Sequence, residues 1–344
     1  MFESTWLHRL SRRALKRGRR ASVQVGLHRS ATHLVAARLR LDPDAGPCIE
    51  QFETVEVGAN RDQEAIRRLA QTGILRNAPV VLVLGAEQYN TYPLSAPSVP
   101  EAELRDALRW QLREVLQYAP EDAIIEFIRL ARSEDSNAPH SLLAVAAPRR
   151  IVMQALAPLQ AAGVDVQAVD IPEMAQRNVL ARLPKSGSGN ALLSLDGSSG
   201  LLTVLDRGEL FFARRIQMPR ASGASDEDPE HVADRIATQV QRSLEVVERQ
   251  SGLASIRTVW IGPHPDAALI ARCTAEHTGM ECPQLDLQAE LRFNIAEPDL
   301  TTRAASGALI AIGAGLRDED PQAASAPRRD RTGLAWLTKL RAAA

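Results

Sequence analysis

The chain has 344 residues, of which 45% are hydrophobic and 24% charged, and its formal net charge is −1 at pH 7. This length suffices for two domains with separate cores, and the near-neutral charge argues against a nucleic-acid-binding protein. Every apolar run falls short of the roughly 18 residues that a transmembrane helix needs. Its three cysteines are too few and too widely spaced for a disulfide framework or a metal cluster, so the composition predicts a cytoplasmic protein.

The N-terminal arm, residues 1–21, departs from this average because it carries seven Lys and Arg residues against a single acid. Apolar side chains recur every four residues from Phe2 to Leu10, which places them on one face of a helix. A basic helix with an aromatic stripe suits the surface of an anionic membrane, and a basic arm that only keeps the protein in solution is the alternative. The candidate membrane-surface residues are Phe2, Trp6, Arg9, Leu10, Arg13 and Lys16.

After the arm, the sequence follows a pattern typical of β-strands. The turn between the first two strands is small and bears hydroxyl groups at Ser30 and Thr32. Such a turn, together with His28, can bind an anion, and an ordinary surface loop is the alternative. The predicted elements of this part are strands at residues 22–29, 33–41 and 48–57, a helix at 62–72 and a buried strand at 79–84.

A segment with both helix and strand patterns, residues 88–147, interrupts the first half. Pro100 starts a helix with an apolar stripe, and Pro120 ends it. A strand at 124–128 can then pair with a strand at 141–147. Trp110 has polar neighbours on this helix, so it is a candidate anchor for a partner, with half-buried packing as the alternative. The segment therefore predicts a small α+β subdomain.

The second half opens with three strands joined by tight turns. Its first turn, Asp196-Gly197-Ser198-Ser199, resembles the turn near Ser30 in being small and hydroxyl-bearing. An ordinary Gly-Ser hairpin is the alternative, although two such turns about 170 residues apart suggest a duplicated hairpin core. The predicted elements from residue 151 onward are helices at 151–161, 172–183, 229–250, 266–277 and 304–316, strands at 164–169, 191–195, 201–205, 210–216 and 258–261, a linker at 184–189 and a polar tail at 318–344.

Motifs of common catalytic sites are missing from the sequence. The seven histidines show no metal-ligand spacing, and neither a GxSxG elbow nor a GxxxxGK[ST] loop occurs. The cysteines at 273 and 282 read as core or surface residues rather than as metal ligands. The sequence therefore predicts no metal site and no catalytic residues of these classes.

The order of elements resembles the actin-like ATPases of the FtsA/PilM branch. PEAELRDALRWQLREVL before Pro120 and LAVAAPR at 143–149 resemble PilM-type pilus proteins, and GELFFARRI at 208–216 with QRSLEVVERQ at 241–250 resembles the MshI-type relatives of the MSHA agglutinin pilus. The resemblance covers about residues 22–317. It implies an α/β, two-lobed actin-like (ribonuclease-H-like) fold with an inserted α+β subdomain. The implied division is an arm at 1–21, a first lobe at 22–87 and 148–184, an inserted subdomain at 88–147, a second lobe at 190–317 and a tail at 318–344.

Such a fold implies ATP held between the lobes, with one phosphate-binding turn from each lobe and a Gly-Gly turn at the adenosine. The acid that the family's first turn uses for the magnesium-bound water is missing, because no Asp or Glu occurs between Ser22 and Leu41. Gly262-Pro263 stands where the Gly-Gly turn is expected, and proline lacks a backbone donor. We therefore expect weak ATP binding at most and negligible hydrolysis, with His28 or Arg29 supplying charge to phosphate. The candidate nucleotide-binding residues are His28, Arg29, Ser30, Thr32, Asp196, Gly197, Ser198, Ser199 and Gly262.

The resemblance further implies a cytoplasmic scaffold, peripheral at the inner membrane, in the assembly platform of an MSHA-like type IV pilus. Its expected partner is a PilN-like membrane protein whose cytosolic N-terminal peptide lies in a groove beside the inserted subdomain. The alternatives are a working ATPase of the same fold and a cytoplasmic domain of a type II secretion platform, and self-association stays open. Candidate partner-binding residues are Leu104, Leu108, Trp110 and Leu112.

Overall fold

The computed structural model describes residues 21–30, 32–58, 62–100, 103–131, 141–184, 189–196, 199–217, 228–251, 256–295 and 305–317. The predicted membrane-surface residues of the arm, the polar tail, and the turn residues Gly197 and Ser198 lie outside these ranges. Among the helices within them, none is long and apolar enough to cross a membrane.

The described residues form thirteen strands and eight α-helices. The elements up to the end of the first lobe are β1 (Ser22–Arg29), β2 (His33–Asp42), β3 (Gly46–Glu56), α1 (Asp62–Thr72), β4 (Val80–Val83), β5 (Asn90–Ser95), α2 (Leu104–Leu112), β6 (Ala123–Arg129), β7 (Ser141–Pro148), α3 (Arg149–Ala161), β8 (Val166–Asp170) and α4 (Pro172–Leu180). The remaining elements are β9 (Gly189–Asp196), β10 (Ser199–Asp206), β11 (Glu209–Gln217), α5 (Pro229–Ser251), β12 (Ile256–Ile261), α6 (Ala267–Thr278), α7 (Leu287–Glu290), β13 (Arg292–Phe293) and α8 (Ala305–Gly315).

The two lobes repeat the same strand arrangement. The first sheet has the order β13-β3-β2-β1-β4-β8, and the second has the order β11-β10-β9-β12. In each lobe, three consecutive strands form an antiparallel meander, and the first of them also pairs in parallel with a strand that follows a helix. The duplicated hairpin core that the sequence predicts is therefore present.

Each sheet is covered by helices because its strands present apolar side chains to both faces. In the first lobe, Val25 and Leu27 pack toward α1 and α3, whereas Val35 and Leu39 pack toward α4 and α8. In the second lobe, α5 and α6 cover one face of the sheet, and Cys273 lies in that core. Burial on both faces explains why these strands read as continuous apolar runs rather than as alternating ones.

The inserted subdomain is a three-stranded antiparallel sheet, in the order β5-β7-β6, with α2 packed on it. α2 ends at Leu112, several residues earlier than the sequence predicts. The chain turns there through hydrogen bonds from the Arg113 N–H to the Trp110 carbonyl and from the Val115 N–H to the Leu112 carbonyl. This turn, in which the Leu116 N–H donates to the Leu112 carbonyl, returns Leu116 to the same apolar cluster.

α4 and α8 lie between the lobes and join their cores. One apolar cluster contains Val83 and Leu39 of the first lobe, Leu192 and Leu205 of the second, and α8 residues such as Leu309. α8 approaches its neighbours closely enough that a β-carbon at Gly26 would come 1.8 Å from the Ala311 carbonyl oxygen. The two lobes are therefore packed against shared helices, with backbone contacts that only glycine permits.

Candidate functional site

The candidate site lies where the strands β1, β4 and β8 end. In open α/β sheets, ligands bind beyond the carboxyl ends of the parallel strands. β1 ends at Arg29, β4 at Val83 and β8 at Asp170, and β1 and β8 both pair in parallel with β4. The turn from β1 to β2 follows directly, and β9 leads into the corresponding turn of the second lobe. The predicted nucleotide-binding residues are therefore expected at this edge of the first sheet.

The first turn satisfies much of its own hydrogen-bonding capacity. The Ser30 N–H donates to the His33 carbonyl at 2.9 Å, and the His33 N–H donates to the Ser30 Oγ at 3.1 Å. The Thr32 Oγ1 lies 2.8 Å from the His33 Nδ1, and the Arg29 Nε donates to the Asp62 carboxylate at 2.9 Å. Ser30 is thus engaged within the turn, and the charge of Arg29 is already paired.

His28 does not lie in the turn but in β1, where its side chain is buried. Its ring lies beside Gly307 of α8, because side chains alternate along a strand and Leu27 takes the opposite face. Burial lowers the pKa of His28 to about 4, although a hydrogen bond with the Val83 backbone opposes that shift. His28 is therefore neutral at physiological pH, and the prediction that it supplies positive charge to a phosphate is wrong.

The second turn and the predicted adenosine turn also carry structural contacts. The Ser199 Oγ lies 3.5 Å from the Asp196 carbonyl oxygen. The Gly262 N–H donates to the Leu193 carbonyl at 2.7 Å, and a β-carbon at Gly262 would come 3.1 Å from that oxygen. Gly262 therefore lets the end of β12 approach β9, and its N–H group is committed to that contact.

A polar cluster that the sequence reasoning missed crosses from the second lobe to the first. The Arg215 guanidinium of β11 lies 4.5 Å over the Tyr89 ring and 3.7 Å, through Nε, from the Glu173 carboxylate of α4. The same side chain donates to the Ala86 carbonyl, just beyond β4, and the Tyr89 hydroxyl donates to Glu173. One local signal existed: Arg214 and Arg215 are adjacent in a strand, so one of them must face the covered side.

Burial dominates the electrostatics of this cluster. Burial raises the pKa of Glu173, and the Arg215 charge and the Tyr89 hydroxyl oppose that shift. Burial and the neighbouring Glu173 together hold the pKa of Tyr89 well above its ordinary value. Tyr89 is therefore a hydrogen-bond donor at all physiological pH values, and Arg215 is the positive charge that compensates the buried carboxylate.

α4 makes further polar contacts with the second lobe. The Gln176 Nε2 donates to the Leu192 carbonyl at 2.6 Å and to the Leu201 carbonyl at 3.0 Å, and the Gln176 Oε1 accepts from the Ser194 hydroxyl at 2.6 Å. The Arg177 Nη2 lies 3.4 Å from the Glu209 carboxylate. Polar side chains that would be costly to bury unpaired thus join one helix of the first lobe to three strands of the second.

The inserted subdomain places its predicted partner-binding residues in two different environments. Leu104, Leu108 and Leu112 are 3%, 0% and 0% exposed, because their helical stripe packs on the subdomain's own sheet. The prediction that these three leucines contact a partner is therefore wrong for this arrangement. Trp110 is 70% exposed, and together with Val99 and Val115 it makes up the large exposed apolar side chains found among the described residues. All three belong to the inserted subdomain.

Comparison with known proteins defines the fold. No family model matches the sequence, and no curated protein matches it. A solved chain described as "PilM-PilN type IV pilus biogenesis complex" superposes with a TM-score of 0.68 at 16% identity, covering 88% of this chain and 100% of that chain. The cytoplasmic domain of EpsL, an inner-membrane component of the Vibrio cholerae type II secretion system, superposes with a TM-score of 0.45 at 13% identity, covering 83% and 95%. A Bacteroides thetaiotaomicron protein with an actin-like ATPase fold and unknown function gives 0.46 at 10% identity, covering 79% and 93%.

The predicted fold class is thereby confirmed: the chain has a PilM-like, two-lobed actin-like α/β fold with an inserted α+β subdomain.

Proposed function

We propose that this chain is a non-enzymatic cytoplasmic scaffold in the inner-membrane platform of a type IV pilus, of the MSHA-like kind. The observation that carries the proposal is the likeness to a chain of the PilM-PilN complex over the whole length of that chain. The segments at 208–216 and 241–250, which resemble MshI-type proteins, are the reason for the MSHA-like assignment. The alternative is that the chain is a cytoplasmic domain of a type II secretion platform.

The nucleotide cleft is degenerate in this proposal. The first turn has no acid, its Ser30 is engaged internally, and the neutral His28 brings no charge to a phosphate. The Gly262 N–H is committed to Leu193, so it is not available to an adenosine. Since phosphoryl transfer depends on a metal and on a group that orients the attacking water, these features support weak ATP binding at most and no catalysis.

The partner in this proposal is the cytosolic N-terminal peptide of a PilN-like membrane protein. It binds beside the inserted subdomain, where Trp110 is exposed and the Arg113 guanidinium lies 6.0 Å from its ring. Exposed Trp and Arg side chains are the types most often responsible for binding energy at protein interfaces. Recruitment by this partner, assisted by the basic arm, places the protein at the inner-membrane surface.

Calorimetric titration with ATP and Mg²⁺, followed by a phosphate-release assay, tests the non-enzymatic part. We expect weak or absent binding and negligible release. Turnover on the order of 1 s⁻¹ that Asp196→Ala abolishes would establish a working ATPase instead. A pull-down with two cytosolic N-terminal peptides separates the pilus assignment from the secretion assignment. One peptide comes from a PilN-like membrane protein, and the other comes from a membrane protein of a type II secretion platform.

A further inference from the structure

We propose that Tyr89, Glu173 and Arg215 form an interlobe clasp, which holds the two lobes together across the mouth of the cleft without a nucleotide. The clasp joins three separate parts of the fold: the start of the inserted subdomain, the first turn of α4 and the edge strand β11. The clasp proposal does not depend on which partner the protein binds. Evidence against the clasp is therefore distinct from evidence against the scaffold function.

The contacts of the clasp close a ring. Arg215 donates to the Ala86 carbonyl, lies 3.7 Å from the Glu173 carboxylate and stacks 4.5 Å over Tyr89, and the Tyr89 hydroxyl donates to the same carboxylate. Tyr89 and Glu173 are each 2% exposed. Removing the guanidinium while the lobes stay together would leave a buried carboxylate without its cation, which costs far more than losing an exposed ion pair.

The clasp lies beside the ends of the strands that bound the cleft. In the β10–β11 register, Arg215 lies opposite Leu201, two residues beyond Ser199 of the second turn. Ala86 and Glu173 follow the carboxyl ends of β4 and β8. The clasp therefore joins the carboxyl edge of the first sheet to the edge strand of the second sheet.

Further contacts beside the clasp join β11 to the first lobe and to the inserted subdomain. The Ala131 N–H donates to the Leu210 carbonyl at 2.7 Å, and Arg177 lies 3.4 Å from Glu209. Since β11 is the edge strand of its sheet, these contacts also cover an edge that would otherwise be open. The clasp is thus the cleft end of a continuous interface.

Hydrogen–deuterium exchange of the full chain, with and without MgATP, tests this proposal. Arg215→Ala should speed exchange about tenfold or more in residues 84–89 and 209–217, because removing the guanidinium opens the cleft mouth. Arg214→Ala is the matched control, since its guanidinium lies on the other face of β11, 3.4 Å from the Ser243 hydroxyl of α5. In the unaltered protein, MgATP should leave exchange in both segments unchanged.

Two results would overturn the clasp. One is an Arg215→Ala protein whose exchange matches that of Arg214→Ala. The other is an unaltered protein whose two segments become about tenfold more protected when MgATP is added, because the lobes would then close only on a nucleotide. If Arg215→Ala does not fold, Arg215→Lys serves, since lysine keeps the charge but loses the planar stacking and the forked donors. Unaltered exchange in that variant would equally contradict the proposal.

Discussion

Gly313 of α8 lies so close to Ala175 of α4 that a β-carbon at position 313 would come 2.0 Å from the Ala175 carbonyl oxygen. The Asn178 Nδ2 of α4 also donates to the Gly313 carbonyl at 2.9 Å. The two helices that join the lobes therefore cross in backbone contact. Their separation is set by the absence of a side chain at this one position.

Gly313→Ala should destabilise the protein by about 3 kcal/mol, at the upper end of ordinary overpacking, because the added carbon must push the two helices apart. Chemical denaturation measures the change. Gly85→Ala is the control, since a β-carbon there would meet neighbours no nearer than 3.6 Å. Equal stability of the two variants would show that α4 and α8 yield easily, contrary to the packing described above.

His28 should make the stability of the protein depend on pH. Its folded-state pKa is about 4 against an ordinary value of 6.5, so the unfolded chain takes up a proton first as the pH falls. The stabilising contribution of the neutral, buried ring is therefore complete above pH 6.5 and is lost as the pH falls toward 4. Between pH 7 and pH 5 this loss amounts to about 2 kcal/mol.

Unfolding free energies of the unaltered protein and of His28→Gln, each measured at pH 7 and pH 5, check this prediction. The unaltered protein should lose about 2 kcal/mol more than the variant over this interval. His264, whose pKa is lowered by burial, is present in both proteins, so its contribution cancels. Parallel pH profiles would mean that His28 titrates at its ordinary pKa in the folded state.

Trp110 and Leu108 should separate partner binding from folding, because they lie on the same helix in opposite environments. Trp110→Ala should change stability by less than about 0.5 kcal/mol but weaken binding of the PilN-like peptide about 30-fold. Leu108→Ala should cost about 2–5 kcal/mol of stability, since its side chain is fully buried. Point substitutions are preferable to deleting the inserted subdomain, because a deletion that includes Tyr89 would also remove a contact to Glu173.

Peptide titrations of Trp110→Ala and of Gln111→Ala, its exposed neighbour on α2, provide the comparison. Gln111→Ala should bind like the unaltered protein. Unchanged affinity in the Trp110 variant would place the partner on another surface.

Local patterns were sufficient for most of the fold. The helix at Asp62–Thr72 and the six strands of the two meanders follow directly from their apolar runs and turns. β5 escaped prediction because it is a partly exposed strand that contains Pro93, without a clear apolar pattern. The inserted subdomain could be recognised from its own helix and strand patterns, whereas the division into lobes came from the resemblance. β13, which lies within the expected second lobe, pairs instead with β3 in the first sheet.

The candidate site was much less predictable. An apolar stripe on a helix has the same appearance whether it faces a partner or its own sheet, so Leu104, Leu108 and Leu112 could not be assigned from spacing alone. Glu173 reads as an ordinary acid at a helix start, and nothing in its neighbourhood indicates Arg215, which is 42 residues away. Contacts of this range depend on the tertiary arrangement, which periodicity does not encode.

The basic arm remains a prediction, because residues 1–20 lie outside the part of the chain that the structure describes. Each basic residue near an anionic membrane contributes about 1 kcal/mol, less at high salt, so seven of them suffice for reversible attachment. The full chain should co-sediment with anionic but not with neutral vesicles, and a shortened chain that begins at Ser22 should stay in solution. Equal behaviour of the two on anionic vesicles would leave the arm without a membrane role.

The most direct test of the scaffold function is a titration of the PilN-like cytosolic peptide against the full chain, with and without saturating MgATP. In the proposed account the cleft is degenerate and the lobes are joined without a ligand, so the two dissociation constants should agree within about threefold, which is a coupling below about 0.7 kcal/mol. Peptide binding that appears only when MgATP is present would contradict the account, since the protein would then be a nucleotide-dependent switch rather than a scaffold.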